Sequence, residues 1–410
     1  MPVLVACAEL KVGMRLAEAF TLHGRVMLPG GRVLNEETLS ILQEKYPTIT
    51  LKIGDPVLDS IAEFEDDSRE REVAAKVTST ISSCVAKVQD RFSTHTNVSA
   101  LDYNAIKSAA QDVMEYLAKN PVSAALLTRS FDKETYLSEH AGNVFYLALV
   151  LGSAVRDYVY RERARQTRSS SLNADVGFNL LPLALGSMFI DLGMVPLKHL
   201  FTKTDPLTAE EKEQIREHPL TGAAMLPDNL PAGVKMVVKT HHENFDGSGY
   251  PGGLDGPSLH VFTRIVRIVD AYDAATATHV YRNAKSPARA MWEIGAGPLR
   301  KFYDPVLTKM FMSLIQPFPI GAKVKLADGR IAVVCKYNRK NPFRPHGIIA
   351  FDVTGERLPD NQLQGPVILG DEPNTQLKEF AGEDLSFIYD MDPTAAEPRP
   401  FDSIFEAGYP

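Results

Sequence analysis

Cysteine is scarce in this 410-residue chain: Cys7, Cys84 and Cys335 are odd in number and widely spaced. That excludes a disulfide framework and a zinc-finger array, and it suits a reducing cytoplasm. An excess of basic residues is also missing. Lys and Arg total 44 against 51 Asp and Glu, a net charge of −7, so composition gives no reason to expect DNA binding, while a local basic site for phosphates remains compatible with it. Long apolar runs are lacking too. Val144 to Val155 and Leu180 to Ile190 fall short of the ~20 residues that a bilayer span needs, so no membrane span is expected. The length exceeds one ordinary core and predicts two or three domains.

What the chain does have is one improbable stretch, His241-His242-Glu243-Asn244-Phe245-Asp246-Gly247-Ser248-Gly249-Tyr250-Pro251. Adjacent histidines at the end of a helix-like run can turn two imidazoles toward one cation. The glycines behind them allow a tight loop close to the backbone. Two isolated carboxylates have a similar meaning. Asp191 is the only charged residue between Asn179 and Val195, and Asp270 lies among Ile265, Val266, Ile268, Val269 and Ala271. A carboxylate in apolar surroundings costs several kcal/mol unless it is paired, hydrogen-bonded, protonated or bound to metal.

Around these elements the patterning is modular. Residues 1–58 read as a small mixed α/β module, with a strand near Val26, a helix capped by Asn35 and a strand at Ile49 to Ile53. Residues 62–130 read as a helical linker or stalk. Val73, Val77, Ile81, Val85 and Val88 form an apolar stripe that suits either a bundle helix, the preferred reading, or dimerisation. Residues 131–316 are helical. Residues 317–410 read as a small β appendage, with a hairpin at Asp328-Gly329, and an acidic tail from about Gly370 without clear periodicity.

The motif His-His-Glu-x-x-Asp-Gly-x-Gly-Tyr-Pro, together with His218-Pro219-x-x-Gly222 and Arg264 to Ala274, resembles the HD-GYP proteins, a branch of the HD metal-dependent phosphohydrolases that cleaves cyclic di-GMP. The resemblance implies a mainly α fold, an all-helical HD-type bundle between the N-terminal module and the β appendage. By the same resemblance His140, Asp191, His218, His241, His242 and Asp270 would be metal ligands, with Asp273 supporting them. Asp191, Tyr250 and Arg282 would serve catalysis, and Gly249, Tyr250 and Arg282 would contact the nucleotide. The implied cofactor is one or two divalent transition-metal ions, iron or manganese, and the implied ligand is cyclic di-GMP or a related cyclic dinucleotide.

Three positions depart from the family pattern. Where the family reads His-Asp-x-Gly-Lys, this chain reads Ile190-Asp191-Leu192-Gly193-Met194, and His279 stands where an arginine is usual. Two functions follow. The preferred one is a cyclic di-GMP signalling protein with a degenerate site, binding metal and nucleotide or another signalling protein with weak or no hydrolysis. The alternative is an active phosphodiesterase that converts cyclic di-GMP to pGpG or GMP. A homodimer fits either.

Overall fold

The computed structural model describes residues 2–22, 25–47, 49–55, 58, 68–94, 103–119, 135–166, 173–201, 207–277 and 284–389. They fall into two compact units, one made from both ends of the chain, Met1–Asp67 with Gln316–Pro410, and one from Ser68–Ile315.

In the first unit β1 (Pro2–Ala6) pairs antiparallel with β4 (Thr50–Gly54), and β2 (Phe20–Leu22) pairs with β3 (Arg25–Leu28). Between them α1 (Glu36–Lys45) begins where the Asn35 side chain accepts the Thr38 N–H at 2.9 Å, the cap that the sequence predicts. The C-terminal strands are β5 (Lys323–Leu326), β6 (Ile331–Lys336), β7 (His346–Phe351), β8 (Gln364–Ile368), β9 (Leu377–Phe380) and β10 (Glu383–Asp384). They form one antiparallel sheet in the order β10-β9-β5-β6-β7-β8. Gly329, at φ +90°, makes the turn between β5 and β6 that Asp328-Gly329 signals.

Two expectations change here. The tail is not featureless from Gly370, because β9 pairs with β5 and Phe387 and Ile388 are buried; strands this short carry too little alternation to be read. The two ends of the chain, expected as separate modules, belong to one unit, in which the Leu4 N–H donates to the Gly321 carbonyl at 2.8 Å and Arg357 pairs with Asp55 at 2.9 Å.

Among the described residues the second unit holds the helices α2 (Ser68–Thr94), α3 (Tyr103–Lys119), α4 (Tyr136–Ala154), α5 (Arg156–Gln166), α6 (Ala174–Gly177), α7 (Leu181–Met188), α8 (Lys198–Phe201), α9 (Ala209–Arg216), α10 (His218–Met225), α11 (Ala232–Thr240), α12 (Val261–Thr276), α13 (Pro287–Gly295) and α14 (Pro305–Leu314). The valine and isoleucine stripe of α2 is buried and packs on α4, as a bundle helix. A Cβ on Gly142 of α4 would lie 2.6 Å from the Thr78 carbonyl of α2. Gly142→Ala is therefore expected to lower stability by ~1–3 kcal/mol, the usual penalty of overpacking, read as a lower midpoint of thermal unfolding.

The run Leu181–Leu200 is long and apolar enough to cross a membrane by length and composition, with hydropathy 1.3. That is longer than the uncharged run Leu180 to Ile190, because it continues past Asp191. It is not one α-helix. The α-helix ends at Met188, and a 3-10 turn, Leu192–Leu197, contains Pro196. Of the apolar window, 61% is buried in the folded chain.

Candidate metal and phosphate site

Four local breaks in the helical unit bring the ligand-type side chains together. The first is at Asp191, the lone charge of its apolar run, which sits at the N-cap of the 3-10 turn. Gly193 and Gly222 explain the break: a Cβ on Gly193 would lie 2.7 Å from the Gly222 nitrogen, and one on Gly222 would lie 2.9 Å from the Gly193 nitrogen. Backbone meets backbone there, which sets the Asp191 turn against the start of α10.

The second break is at His218. A capping box between Thr208 and Glu211 opens α9. Pro219 does not simply end that helix; it sits in the first turn of α10, where its missing N–H has no helical partner to lose, and His218 is the first residue of the new helix. The third break is the end of α11, where His241 is the C-cap.

The fourth is the loop that follows. Glu243 is buried and faces away from the histidines, accepting the Gly252 N–H at 2.6 Å and the Leu254 N–H at 3.0 Å. A Cβ on Gly249 would lie 2.5 Å from the His242 carbonyl, so this position accepts only glycine. The Tyr250 ring then tilts against His242, with centroids 4.9 Å apart and an interplanar angle of 33°, and the Tyr250-Pro251 bond is cis.

Helix α12 supplies the remaining carboxylates and is locked in place by Arg264. This buried guanidinium pairs with Asp304 at 2.9 Å and Glu162 at 2.7 Å and donates to the Leu259 carbonyl at 3.0 Å.

The six residues named from the sequence, His140, Asp191, His218, His241, His242 and Asp270, lie in one linked cluster of pair contacts. His140 donates from Nδ1 to Asp273 at 2.7 Å, and its Nε2 lies 3.1 Å from Asp270 and 3.4 Å from Asp191. The other oxygen of Asp191 is 3.4 Å from His218 Nε2, so this carboxylate straddles the two halves of the cluster. His242 Nδ1 is 3.8 Å from Asp270. Ligand atoms of His218, His241 and His242 all lie within 4.8 Å of one another.

Electrostatically the two halves are opposite. Burial alone would depress His140, but Tyr136, Asp270 and Asp273 more than offset it and hold the imidazole well above its ordinary range. Burial raises Asp270 too, yet His140 and the other imidazoles pull it below the usual carboxylate range. On the other side burial and neighbouring histidines push His241 well below the ordinary value, and burial lowers His242. Burial also pushes the Tyr136 phenol, stacked on His140, up to about 12.

The donor set fits a cation. His218 Nδ1 lies 2.6 Å from the Ile215 carbonyl and His241 Nδ1 lies 2.7 Å from the Val238 carbonyl. A carbonyl only accepts, so both Nδ1 atoms carry hydrogen and both Nε2 atoms present lone pairs. Those Nε2 atoms face each other at 3.1 Å. Two buried lone pairs this close need a positive centre between or beside them, and outer hydrogen bonds of this kind are what orient metal-binding imidazoles.

Ile190 and Met194, which flank Asp191, are buried at 0% and 2% exposure. Arg282 and His279 lie outside the described residues. One neighbour was missed in the sequence: Arg267, half-buried one turn before Asp270, donates from Nε to Asn244 at 2.9 Å. The reasoning that singled out Asp270 as a lone charge in an apolar helix applies equally to this arginine.

Residues 165–307 match the family model for the HD domain. Over 170 residues the chain is 30% identical to "Cyclic di-GMP phosphodiesterase PA4108" of Pseudomonas aeruginosa, covering 41% of this chain and 41% of that protein. Over 182 residues it is 27% identical to "Cyclic di-GMP phosphodiesterase PdeB" of Borreliella burgdorferi, covering 44% and 47%. The matches thus span less than half the length of these relatives. A solved structure, "Bd1817, a HDG"Y"P protein from Bdellovibrio bacteriovorus", aligns with a TM-score of 0.44 at 18% identity, over 76% of this chain and 98% of that one. The matched span is an HD domain, and it holds the motif loop, the paired histidines and the two aspartates that carry the resemblance to the HD-GYP family.

Proposed function

We propose that this protein is a cyclic di-GMP signalling protein whose helical unit binds a divalent cation and a cyclic dinucleotide with weak or no hydrolysis. The observation that carries this reading is the cluster itself: His218 and His241 face each other through bare Nε2 atoms at 3.1 Å, beside a position where Ile190 replaces an imidazole. Asp191, His218, His241 and His242 would hold one cation. His140, Asp191 and Asp270 would offer a second position three ligands, without the fourth that a histidine at 190 would give.

A cation there supplies Lewis acidity and activation of water toward a phosphodiester. The chain's own residues do the rest. Asp191 spans both halves, Asp273 fixes the ring of His140, and Tyr250, tilted against His242, lines the open side. Met194 places an uncharged side chain where the family pattern has a lysine, so one phosphate-facing charge is absent. Comparable groups are worth ~100 to 1,000-fold in rate.

The test measures metal content of the purified protein alongside cyclic di-GMP binding and turnover with added Mn²⁺ or Fe²⁺. Near-stoichiometric metal, bound nucleotide and slow or absent turnover are expected. Rapid conversion to pGpG or GMP would instead establish the active phosphodiesterase, and absence of both metal and nucleotide would remove the reading altogether.

A further inference from the structure

We propose that Arg267 is a phosphate-binding residue of this site, supplying from α12 a positive charge that the chain lacks at Met194. The proposal rests on the nucleotide-binding reading above and identifies how the ligand's phosphate would be held.

Along Val261 to Asp270, Arg267 is the one residue that is not buried. It lies one turn before Asp270, and Asp270, Asp191 and His242 retain side-chain exposures of 10%, 16% and 23%, so the arginine reaches solvent on the helix that borders the open cluster. Its position is fixed without its charge being neutralised. Nε donates to the neutral amide of Asn244 at 2.9 Å, in the motif loop, and the guanidinium lies 5.2 Å from the ring centre of Tyr303. Among the described residues no carboxylate pairs with Arg267, whereas Arg264, one turn earlier, is neutralised by two.

A half-buried guanidinium held by a neutral amide and an aromatic ring, one turn before Asp270 in a cluster whose two ligand carboxylates a metal would neutralise, is suited to a phosphodiester oxygen. Its fork can make two parallel hydrogen bonds, which an ammonium cannot reproduce.

Calorimetric titration of cyclic di-GMP into the full-length wild type, Arg267→Gln, Arg267→Lys and Asn244→Ala, with metal content and thermal midpoint read on each, tests the assignment. Arg267→Gln is expected to weaken binding on the order of 10 to 100-fold, the range for a charged hydrogen bond, and to flatten the salt dependence, with metal content and midpoint unchanged. Arg267→Lys should recover part of the affinity, and Asn244→Ala, which leaves the charge, should lose less than Arg267→Gln. Wild-type binding with undiminished affinity in Arg267→Gln would overturn this assignment and leave the proposed function standing. Loss of metal or of thermal midpoint in proportion to affinity in both Arg267 variants would show a structural role and overturn it equally. A wild type that holds metal but binds no cyclic di-GMP would overturn the ligand reading and this inference together.

Discussion

Alanine at His241, or at Asp191, is expected to strip the protein of its cation. The two act on the same centre from different sides. His241 is fully buried, its Nδ1–H is spent on the Val238 carbonyl, and its Nε2 faces His218 Nε2 at 3.1 Å. Removing the ring takes away one donor and leaves His218 and His242 on a widened pocket. Among the described residues Asp191 alone brings a carboxylate within 3.4 Å of both His140 and His218, so its loss removes one of the charges that would balance a divalent ion. Outer-sphere changes typically weaken metal affinity ~10 to 100-fold, and loss of a direct ligand should exceed that. Metal analysis of the wild type and both variants, purified in parallel, decides the matter. Near-zero occupancy in all three would end the metal reading, whereas occupied wild type with empty variants would support it.

How much of this could be read from the chain alone differs by element. The motif loop, the paired histidines and the lone aspartates were legible because charge in apolar surroundings demands a partner, and that physics is local. The breaks that deliver them were less so. Apart from Asp191 the stretch Leu180 to Val195 carries no charge, and nothing in it announces that Gly193 must meet the backbone of Gly222. That is a tertiary requirement between segments almost thirty positions apart. Pro219 was ambiguous for a related reason, since a proline ends one helix or starts the next according to where the chain turns. The N-terminal helix and its cap at Asn35 were plain from sequence, but the joining of both ends into one unit rests on contacts such as Leu4 to Gly321, which leave no periodic trace. Glu243 shows a subtler limit. It sits beside two histidines in sequence, yet its carboxylate clamps the backbone of Gly252 and Leu254.

The largest gain should come from restoring what the site lacks. Ile190→His together with Met194→Lys is expected to raise hydrolysis of cyclic di-GMP by ~100-fold or more over the wild type, the scale of one preorganised electrostatic group. The imidazole would add a fourth donor beside His140, Asp191 and Asp270, and the lysine would return a phosphate-facing charge. Either change alone should do less. A new imidazole without the lysine leaves the phosphate uncompensated, and a lysine without the second cation is a buried ammonium that must find a partner or lose its proton. Both positions are enclosed, at 0% and 2% exposure, so the double variant also carries a folding penalty, and thermal unfolding must be measured beside turnover. Asp191 lies between the two replaced residues and can pair with either, which favours the double variant over the lysine alone. A double variant that folds, binds two metal ions and still leaves the nucleotide uncleaved would show that the departure from catalysis extends beyond residues 190 and 194. His279 would then be the next position to change, to arginine, in the same background and with the same two measurements.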